Sequence, residues 1–289
     1  ERVSKFMMPI LIVLSVLIAV YSVTRPGAME GVKYFLVPNV KNFSWMTVVA
    51  AMGQMFYSLS IAMGILITFG SYMKKETSLE DSTRNVEVFD TAIAIMAGLM
   101  IIPAVFAFSG GDPDTLQAGP ALMFITIPKV FENMGFGTVV GILFFLLVLF
   151  AAVTSSIALT ESAVSTFEDE LGWSRRRATV LVGVIMIALG SLSSLGYGPL
   201  AGIKIIGMQF LDFFDFLTNS VMMPIAAMLT SLFVSRIVGM KRMEEEIMQG
   251  ESTFRRKKIF IVMIKYLCPV FALIILISSV ANAFGWIAM

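Results

Sequence analysis

The chain has 289 residues, of which 57% are hydrophobic and 14% charged, and its mean hydropathy is +0.87. A soluble domain carries about 25% charged residues, so the composition indicates an integral membrane protein. The net charge of +1 gives no support for nucleic-acid binding, and the lack of histidine excludes histidine-based metal sites. A membrane enzyme would need a nucleophile–base pair or metal ligands, and the one cysteine, Cys268, supplies neither.

Seven apolar runs are long enough to cross a bilayer as helices, which takes roughly 20 residues each. They cover residues 6–24, 45–72, 86–108, 138–168, 177–195, 208–236 and 260–286. The predicted fold is therefore all-α integral membrane, with residues 1–289 forming a single membrane domain. Between the third and fourth spans, Leu116–Asn133 has helical spacing but contains Pro120 and Pro128. This pattern predicts short helices packed on the outer surface.

Lysine and arginine are distributed unevenly between the two sides of these spans. With the N-terminal end placed inside, fifteen of them fall in inner segments and five in outer loops, and Lys265 lies within the last span. Positive residues accumulate on the cytoplasmic side of membrane proteins. We therefore expect a multi-pass protein of the inner (plasma) membrane, with a cytoplasmic N-terminal end and an outer C-terminus.

The first span lacks the features of a signal peptide. It opens with Glu1-Arg2-Val3-Ser4-Lys5, without an initiator methionine, and no small-residue cleavage site follows it. We therefore expect the chain to begin inside a longer sequence.

The second span contains a pair of hydroxyl residues, Ser58 and Ser60, between glycines at 53, 64 and 70. Residues two apart point in different directions on a regular helix. Both serines therefore serve one site only if the helix is broken there, and broken helices are tolerated in a bilayer around a cavity or a ligand. The alternative is that Ser60 bonds back to its own helix while the glycines allow close helix packing.

The fourth span carries a stripe of small and polar residues. Ala151, Thr154, Ser155 and Leu159 follow the spacing i, i+3, i+4, i+8 and share one helical face. Hydroxyl and carbonyl oxygens suit a hard cation such as sodium. The alternative is a stripe that only packs against another helix.

Charged residues in or beside the spans offer further candidates. Asp90, near the inner start of the third span, is either a functional intramembrane carboxylate or a solvated residue at the helix entrance. Asp212 and Asp215 lie among phenylalanines near the outer end of the sixth span, where they need a cationic partner unless Asp212 caps the helix. The runs 168–170 and 175–177 are expected to be mostly solvated inner-loop charges.

Six motifs occur in an order and spacing shared with a known family. They are Gly53-Gln54 with Phe56-Tyr57-Ser58-Leu59-Ser60, Gly70-Ser71-Tyr72, Phe124-Ile125-Thr126-Ile127-Pro128, Ala151 to Ala158, Phe167-Glu168-Asp169-Glu170-Leu171, and Asp212 with Asp215. On these motifs the sequence resembles the neurotransmitter:sodium symporter family, in its bacterial amino-acid branch, over nearly the whole chain. The resemblance favours the ligand interpretation of Ser58, Thr154 and Ser155.

The resemblance implies a leucine-transporter-like fold, an inverted repeat of five plus five helices with binding at the midplane, where helices are broken. The chain resembles the family from its fifth transmembrane helix onward. Residues 6–24 would be the last helix of the first repeat, 45–236 the second repeat of five helices and 260–286 an additional C-terminal helix. In the family the first helix contributes to both sodium sites and the third to the substrate site. A complete site therefore needs four helices that this chain lacks.

The function that the resemblance implies is sodium-coupled symport of a small, neutral, hydrophobic amino acid by alternating access. By position, the substrate pocket would comprise Tyr57, Ser58, Ser60, Met63, Ser155 and Leu159. The sodium ligands would be Ser58, Asp90, Ala151, Thr154 and Ser155. Met63 stands where the family commonly has an aromatic residue, and Ala62 where it commonly has glycine.

Gate residues and the chloride requirement also follow from the resemblance. Gln54, Phe124 and Asp215 would belong to the outer gate, and Tyr72 with Asp169 to the inner gate. Allowing a one-residue shift, Asp90 aligns with an asparagine sodium ligand, and Ala94 with a serine that binds chloride in chloride-dependent members. A built-in carboxylate can replace the anion, so no chloride requirement is expected.

A second interpretation is an inactive truncated fragment of such a transporter. The two differ in the reading frame upstream of Glu1, where the transporter interpretation requires four more apolar spans and a broken first helix.

Overall fold

The computed structural model describes residues 2–110, 119–132, 135–250 and 253–286, and regular structure in these ranges is helical. In chain order the α-helices are α1 (Arg2–Val23), α2 (Ala28–Leu36), α3 (Trp45–Ser58), α4 (Ile65–Ser71), α5 (Leu79–Ser109), α6 (Gly119–Ala121), α7 (Ile127–Glu132), α8 (Gly137–Leu171), α9 (Arg175–Leu195), α10 (Phe210–Asp215), α11 (Met223–Leu232), α12 (Met240–Ile247), α13 (Lys257–Val262) and α14 (Cys268–Ala283). A 3₁₀ turn covers Val40–Asn42, and π-helical turns cover Leu122–Thr126, Phe216–Met222, Phe233–Val238 and Met263–Leu267.

Six described helices are long and apolar enough to cross a membrane. Four are α1, α5, α8 and α9. The other two are composite: Phe210–Val238, which joins α10 and α11 through π-helical turns, and Lys257–Ala283, which joins α13 and α14. These six correspond to the predicted spans other than residues 45–72, and the predicted all-helical membrane fold is confirmed.

The remaining predicted span is a broken helix, as the resemblance implied. Residues 59–64 separate α3 from α4. Within the break, Ser60 and Ala62 adopt left-handed backbone angles, with φ of 54° and 64°. Non-glycine residues in this region cost on the order of 1–3 kcal/mol each and persist only where the surroundings fix them. The surrounding structure therefore holds the backbone of the break in this conformation.

The third predicted span begins too late. We expected it to start at residue 86, and α5 starts at Leu79. Ser78 accepts a hydrogen bond from the Asp81 amide at 3.0 Å, and acidic residues occupy the first turn. This cap and the favourable charge at the helix N-terminus extend the helix into a polar segment that hydropathy alone excludes.

The chain divides into two compact units. The first runs to Phe43 and then from Glu87 to Ile157. In its core Ile18 of α1, Ala104 and Val105 of α5, and Ile127 and Val130 of α7 are almost fully buried. The predicted short helices before the fourth span are confirmed over 119–132, and α7 packs into this core. Residues 111–118 and 133–134 of that stretch lie outside the described residues.

The second unit comprises Ser44–Val86 and Ala158–Met289. Its core joins α3, α11 and α14 through Phe56, Ala227, Ala272 and Ile275. Ser231 of α11 is buried and donates a hydrogen bond to the Ile264 carbonyl, inside the π-helical turn before α14. A π turn interrupts the regular bonding of the helix, and an unpaired carbonyl is costly in lipid. The serine therefore stabilises the turn and ties the two helices together.

Candidate functional site

The break between α3 and α4 places the predicted substrate residues of this segment around irregular backbone. Ser58 ends α3, while Ser60 and Met63 lie inside the break. The amide of Ser60 donates to the Tyr57 carbonyl and the amide of Ile61 to the Phe56 carbonyl, both at 3.0 Å, instead of following the regular i to i−4 pattern. The backbone of this segment therefore does not extend the helix, and irregular backbone of this kind is tolerated in a bilayer around a cavity or a ligand.

A cavity of about 330 Å³ opens beside the end of α3. Gln54 and Asp215, which the sequence assigned to one gate, line it together, and Tyr57 lines the same cavity. The last membrane helix contributes Ile275 and Ser279 to the wall, a contribution that the sequence did not predict.

The two aspartates of α10 have neutral partners in the described structure. Tyr197 donates its hydroxyl to Asp212 Oδ1 at 3.2 Å, and Asn219 donates its amide to Asp215 Oδ1. Burial, and then the charge of Asp212 and the bond to it, raises the pKa of the Tyr197 hydroxyl. The described residues thus supply a phenol and an amide, and the cationic partner, which the resemblance puts outside this chain, stays a prediction. Asp212 is not the N-cap residue, which is Gln209, but it lies in the first turn of α10, where a negative charge is favourable.

A second polar cluster lies at the other end of α4. Tyr72, directly after α4, donates its hydroxyl to Glu161 Oε1 of α8 at 2.9 Å. Arg175, at the start of α9, donates to Oε1 of the same carboxylate at 3.1 Å and bonds its other oxygen as well. Arg175 also donates to Glu168 at 3.3 Å. Two charges that we expected to be solvated, Arg175 and Glu168, are thus part of a bonded cluster.

The central carboxylate of this cluster, Glu161, was not among the residues predicted from the sequence. The resemblance put Tyr72 and Asp169 in one gate, and this assignment stays a prediction. Asp169 is exposed, and the Tyr72 hydroxyl bonds Glu161. The signal was present, because Glu161 is a carboxylate within an apolar span, the criterion that identified Asp90.

The predicted sodium stripe of α8 lies on a regular helix. Thr154 donates its hydroxyl back to the carbonyls of Phe150 at 3.0 Å and Ala151 at 2.9 Å. These bonds match the packing alternative, but they use only the hydroxyl hydrogen and leave oxygen lone pairs that a cation can use. Ser155, the next residue of the stripe, has an exposed side chain.

Asp90 is half-buried on α5, eleven residues after the first residue of the helix. It is therefore not at the helix entrance, contrary to the solvated-cap alternative, and Glu80 and Asp81 occupy the first turn instead. Its role in ion binding stays a prediction.

The predicted site residues are divided between the two units. Asp90, Phe124, Ala151, Thr154 and Ser155 belong to the first unit. The second contains Gln54, Tyr57, Ser58, Ser60, Met63, Tyr72, Leu159, Asp169 and Asp215. Phe124 stacks on Phe145 within the first unit, with ring centroids 6.3 Å apart. The substrate, sodium and gate assignments beyond the contacts given above stay predictions.

The profile of the Sodium:neurotransmitter symporter family matches residues 3–285. The chain belongs to this family. The uncharacterized sodium-dependent transporter YhdH of Bacillus subtilis (strain 168) is 35% identical over 252 residues, which is 87% of this chain and 55% of that protein. An uncharacterized sodium-dependent transporter of Haemophilus influenzae is 32% identical over 280 residues, 96% of this chain and 60% of that protein.

A solved structure of MhsT in complex with L-phenylalanine superimposes on the symporter chain with a TM-score of 0.80 and 36% sequence identity. The match covers 95% of this chain and 62% of that one. The resemblance found in the sequence motifs and the fold that it implied are therefore confirmed. The chain spans little more than half the length of the relatives that it matches.

Proposed function

We propose that this chain forms the larger part of a sodium-coupled symporter for a small, neutral, hydrophobic amino acid. The observation that carries the proposal is the broken helix at residues 59–64, which lies in a membrane chain of a sodium-symporter family. Two further findings support it: relatives bear the name sodium-dependent transporter, and MhsT was solved with L-phenylalanine.

The substrate would be recognised in two parts. Irregular backbone around Ser58 and Ser60 offers carbonyl and N–H groups for the ammonium and carboxylate of an amino acid. Tyr57, Met63 and Leu159 would surround the side chain with mostly apolar surface, and Ser155 would add a hydroxyl. A charged side chain in such surroundings would lack a partner, which favours a neutral substrate.

Sodium would be bound by oxygens of uncharged groups together with one carboxylate. The hydroxyls of Thr154 and Ser155 and the carbonyl of Ala151 would serve one ion, and Ser58 and Asp90 the other. Hard cations prefer oxygen ligands of this kind. Because Asp90 supplies a fixed negative charge, transport would need no chloride.

Alternating access requires that the site open to one side of the membrane at a time. Gln54, Phe124 and Asp215 would close the outer side, and Tyr72 and Asp169, now with Glu161, the inner side. The lysine and arginine distribution supports a plasma-membrane protein whose described N-terminal end is cytoplasmic. The proposal concerns the full-length protein, in which four preceding helices would complete both sites.

Uptake by proteoliposomes tests this function. The full-length protein is reconstituted, and a panel of radiolabelled neutral, acidic and basic amino acids is presented with an inward sodium gradient or with potassium in its place. We expect neutral hydrophobic amino acids to accumulate when the sodium gradient is present and not when potassium replaces it. Preference for glutamate or lysine would contradict the substrate class, and equal uptake in potassium would contradict sodium coupling.

A further inference from the structure

Three hydroxyl side chains, Thr68, Ser162 and Ser165, form a row between α4 and α8. None of the three is a predicted substrate or gate residue. Thr68 of α4 and Ser162 of α8 are 9% and 7% exposed. The Thr68 hydroxyl donates to Ser162 Oγ at 3.5 Å and lies 3.3 Å from Ser165 Oγ. Two buried polar side chains therefore face each other across these two membrane segments.

Ser162 also contacts the residue that ends the break. Gly64 precedes α4 with a left-handed φ of 78°, and a Cβ atom on it would lie 2.8 Å from Ser162 Oγ. The Gly64 carbonyl in turn accepts a hydrogen bond from the Thr68 amide at 2.9 Å. The hydroxyl row thus begins where the irregular backbone ends.

Hydroxyl contacts have a specific consequence between helices in a membrane. Burying apolar side chains between two helices adds little stability, because lipid is as apolar as a helix surface. Hydrogen bonds are directional, so they fix the register that apolar packing leaves open. A shift of α4 by one residue would move Thr68 by about 1.5 Å along the helix and rotate it by about 100°, which breaks its contact with Ser162.

The helix that receives these bonds also carries predicted substrate residues. Leu159 lies three residues before Ser162 on α8, close to one helical turn away. On the other side of the row, Gly64 directly follows Met63 in the break. The register between α4 and α8 therefore sets the separation between two walls of the predicted substrate pocket.

We propose that Thr68 and Ser162 are positioning residues, which hold the break in register with α8 and thereby preform the substrate pocket. The proposal rests on the proposed function, because it assigns these hydroxyls to the same site. Neither residue touches the substrate in this arrangement. Loss of either hydroxyl weakens substrate binding, because the two walls of the predicted substrate pocket can then move apart.

Substrate binding to the purified full-length protein at saturating sodium gives the first test. Thr68→Val keeps the shape of the side chain and removes its hydroxyl, Thr68→Ser keeps the hydroxyl, and Ser162→Ala removes one of its two hydroxyl partners and leaves Ser165. An interhelical bond in a membrane protein is worth about a threefold change in an equilibrium, and at most roughly fifteenfold. We expect Thr68→Val and Ser162→Ala to weaken amino-acid affinity and raise KM by this factor, and Thr68→Ser to restore both.

Thr166→Val is the matched control, because among the described residues the Thr166 hydroxyl bonds only the Ser162 carbonyl of its own helix, at 2.8 Å. A merely structural role would lower the amount of folded protein and leave the affinity of the folded fraction unchanged. Unchanged affinity in Thr68→Val and Ser162→Ala would overturn the proposal, as would an equal loss in Thr166→Val.

A distance measurement tests the register without reference to any substrate. Spin labels are attached at Ile67→Cys and Glu170→Cys, two exposed positions on α4 and α8, in a Cys268→Ala background. We expect Thr68→Val or Ser162→Ala to shift or broaden the distance distribution, and Thr68→Ser to leave it unchanged. The comparison uses those variants that elute as the wild type in gel filtration. An unaltered distribution overturns the positioning role. An altered distribution in a protein without sodium-dependent uptake supports the register and contradicts the proposed function alone.

Discussion

The hydroxyl of Tyr72 donates a hydrogen bond to Glu161 at 2.9 Å, and Arg175 bonds both oxygens of the same carboxylate. One carboxylate therefore connects the end of α4 with α8 and with the start of α9. Since α4 is the second half of the broken helix, this bond fixes the end of the segment opposite the break. Under the proposed function, the bond must open when the inner side of the transporter opens.

Removing the Tyr72 hydroxyl should loosen the end of α4. Tyr72→Phe deletes one hydrogen bond, worth about 0.5–1.5 kcal/mol, and leaves the Arg175–Glu161 pair intact. We expect the backbone amides of Ile65–Ser71 to exchange with deuterium about two- to tenfold faster in the full-length protein. Hydrogen-exchange mass spectrometry measures this directly.

Tyr197→Phe provides the control for this change, because it removes the same group from a different pair, Tyr197 with Asp212. It should leave exchange in α4 unaltered. An equal acceleration in both variants, or none in Tyr72→Phe, would show that the bond to Glu161 does not hold α4.

The stripe on α8 leads to a prediction about sodium. Thr154→Val combined with Ser155→Ala removes two hydroxyl oxygens while keeping the helix, because in the described part of the chain the Thr154 hydroxyl bonds only carbonyls of its own helix. We expect the full-length double variant to fold and to lose sodium-dependent amino-acid binding, as measured by titration with sodium. Ser156→Ala, which removes a hydroxyl bonded back to Val153, should bind normally. Unchanged sodium affinity in the double variant would remove this site assignment.

The broken helix was predictable only through the motifs shared with the family, because the residues alone left two interpretations of the serine pair open. Two serines at a spacing that a regular helix cannot aim at one site, followed by Gly64, are visible in the printed residues. The start of α5 was not predictable from hydropathy, since a serine cap and two acidic residues extend the helix beyond its apolar run. Glu161 was missed for a different reason. Its place within an apolar span was visible in the sequence, but its partners Tyr72 and Arg175 are 89 and 14 residues away, and only the fold brings them together.

Gly64 should be intolerant of a side chain. Alanine there would adopt a left-handed conformation and place its Cβ 2.8 Å from Ser162 Oγ. We expect Gly64→Ala to destabilise the full-length protein by about 1–3 kcal/mol, seen as a lower melting temperature in detergent. Gly70→Ala is the matched control on α4, because no atom lies within 4 Å of a Cβ built there and alanine favours helix. Equal melting temperatures for the two variants would contradict the assigned constraint.

Asp90 leads to a prediction about anions. It is half-buried inside α5, and Ala94 follows four residues later on the same helical face. By the resemblance, and allowing a one-residue shift, Ala94 aligns with a serine that binds chloride in chloride-dependent members, and under the proposed function Asp90 would balance the sodium charge without a bound anion. We therefore expect wild-type uptake driven by sodium to proceed equally in chloride and in gluconate. Asp90→Ser should slow turnover or make it depend on chloride, because the fixed negative charge is gone.

The measurement is initial uptake of a neutral amino acid by the full-length protein in both buffers. If wild-type transport stops in gluconate, Asp90 does not replace the anion.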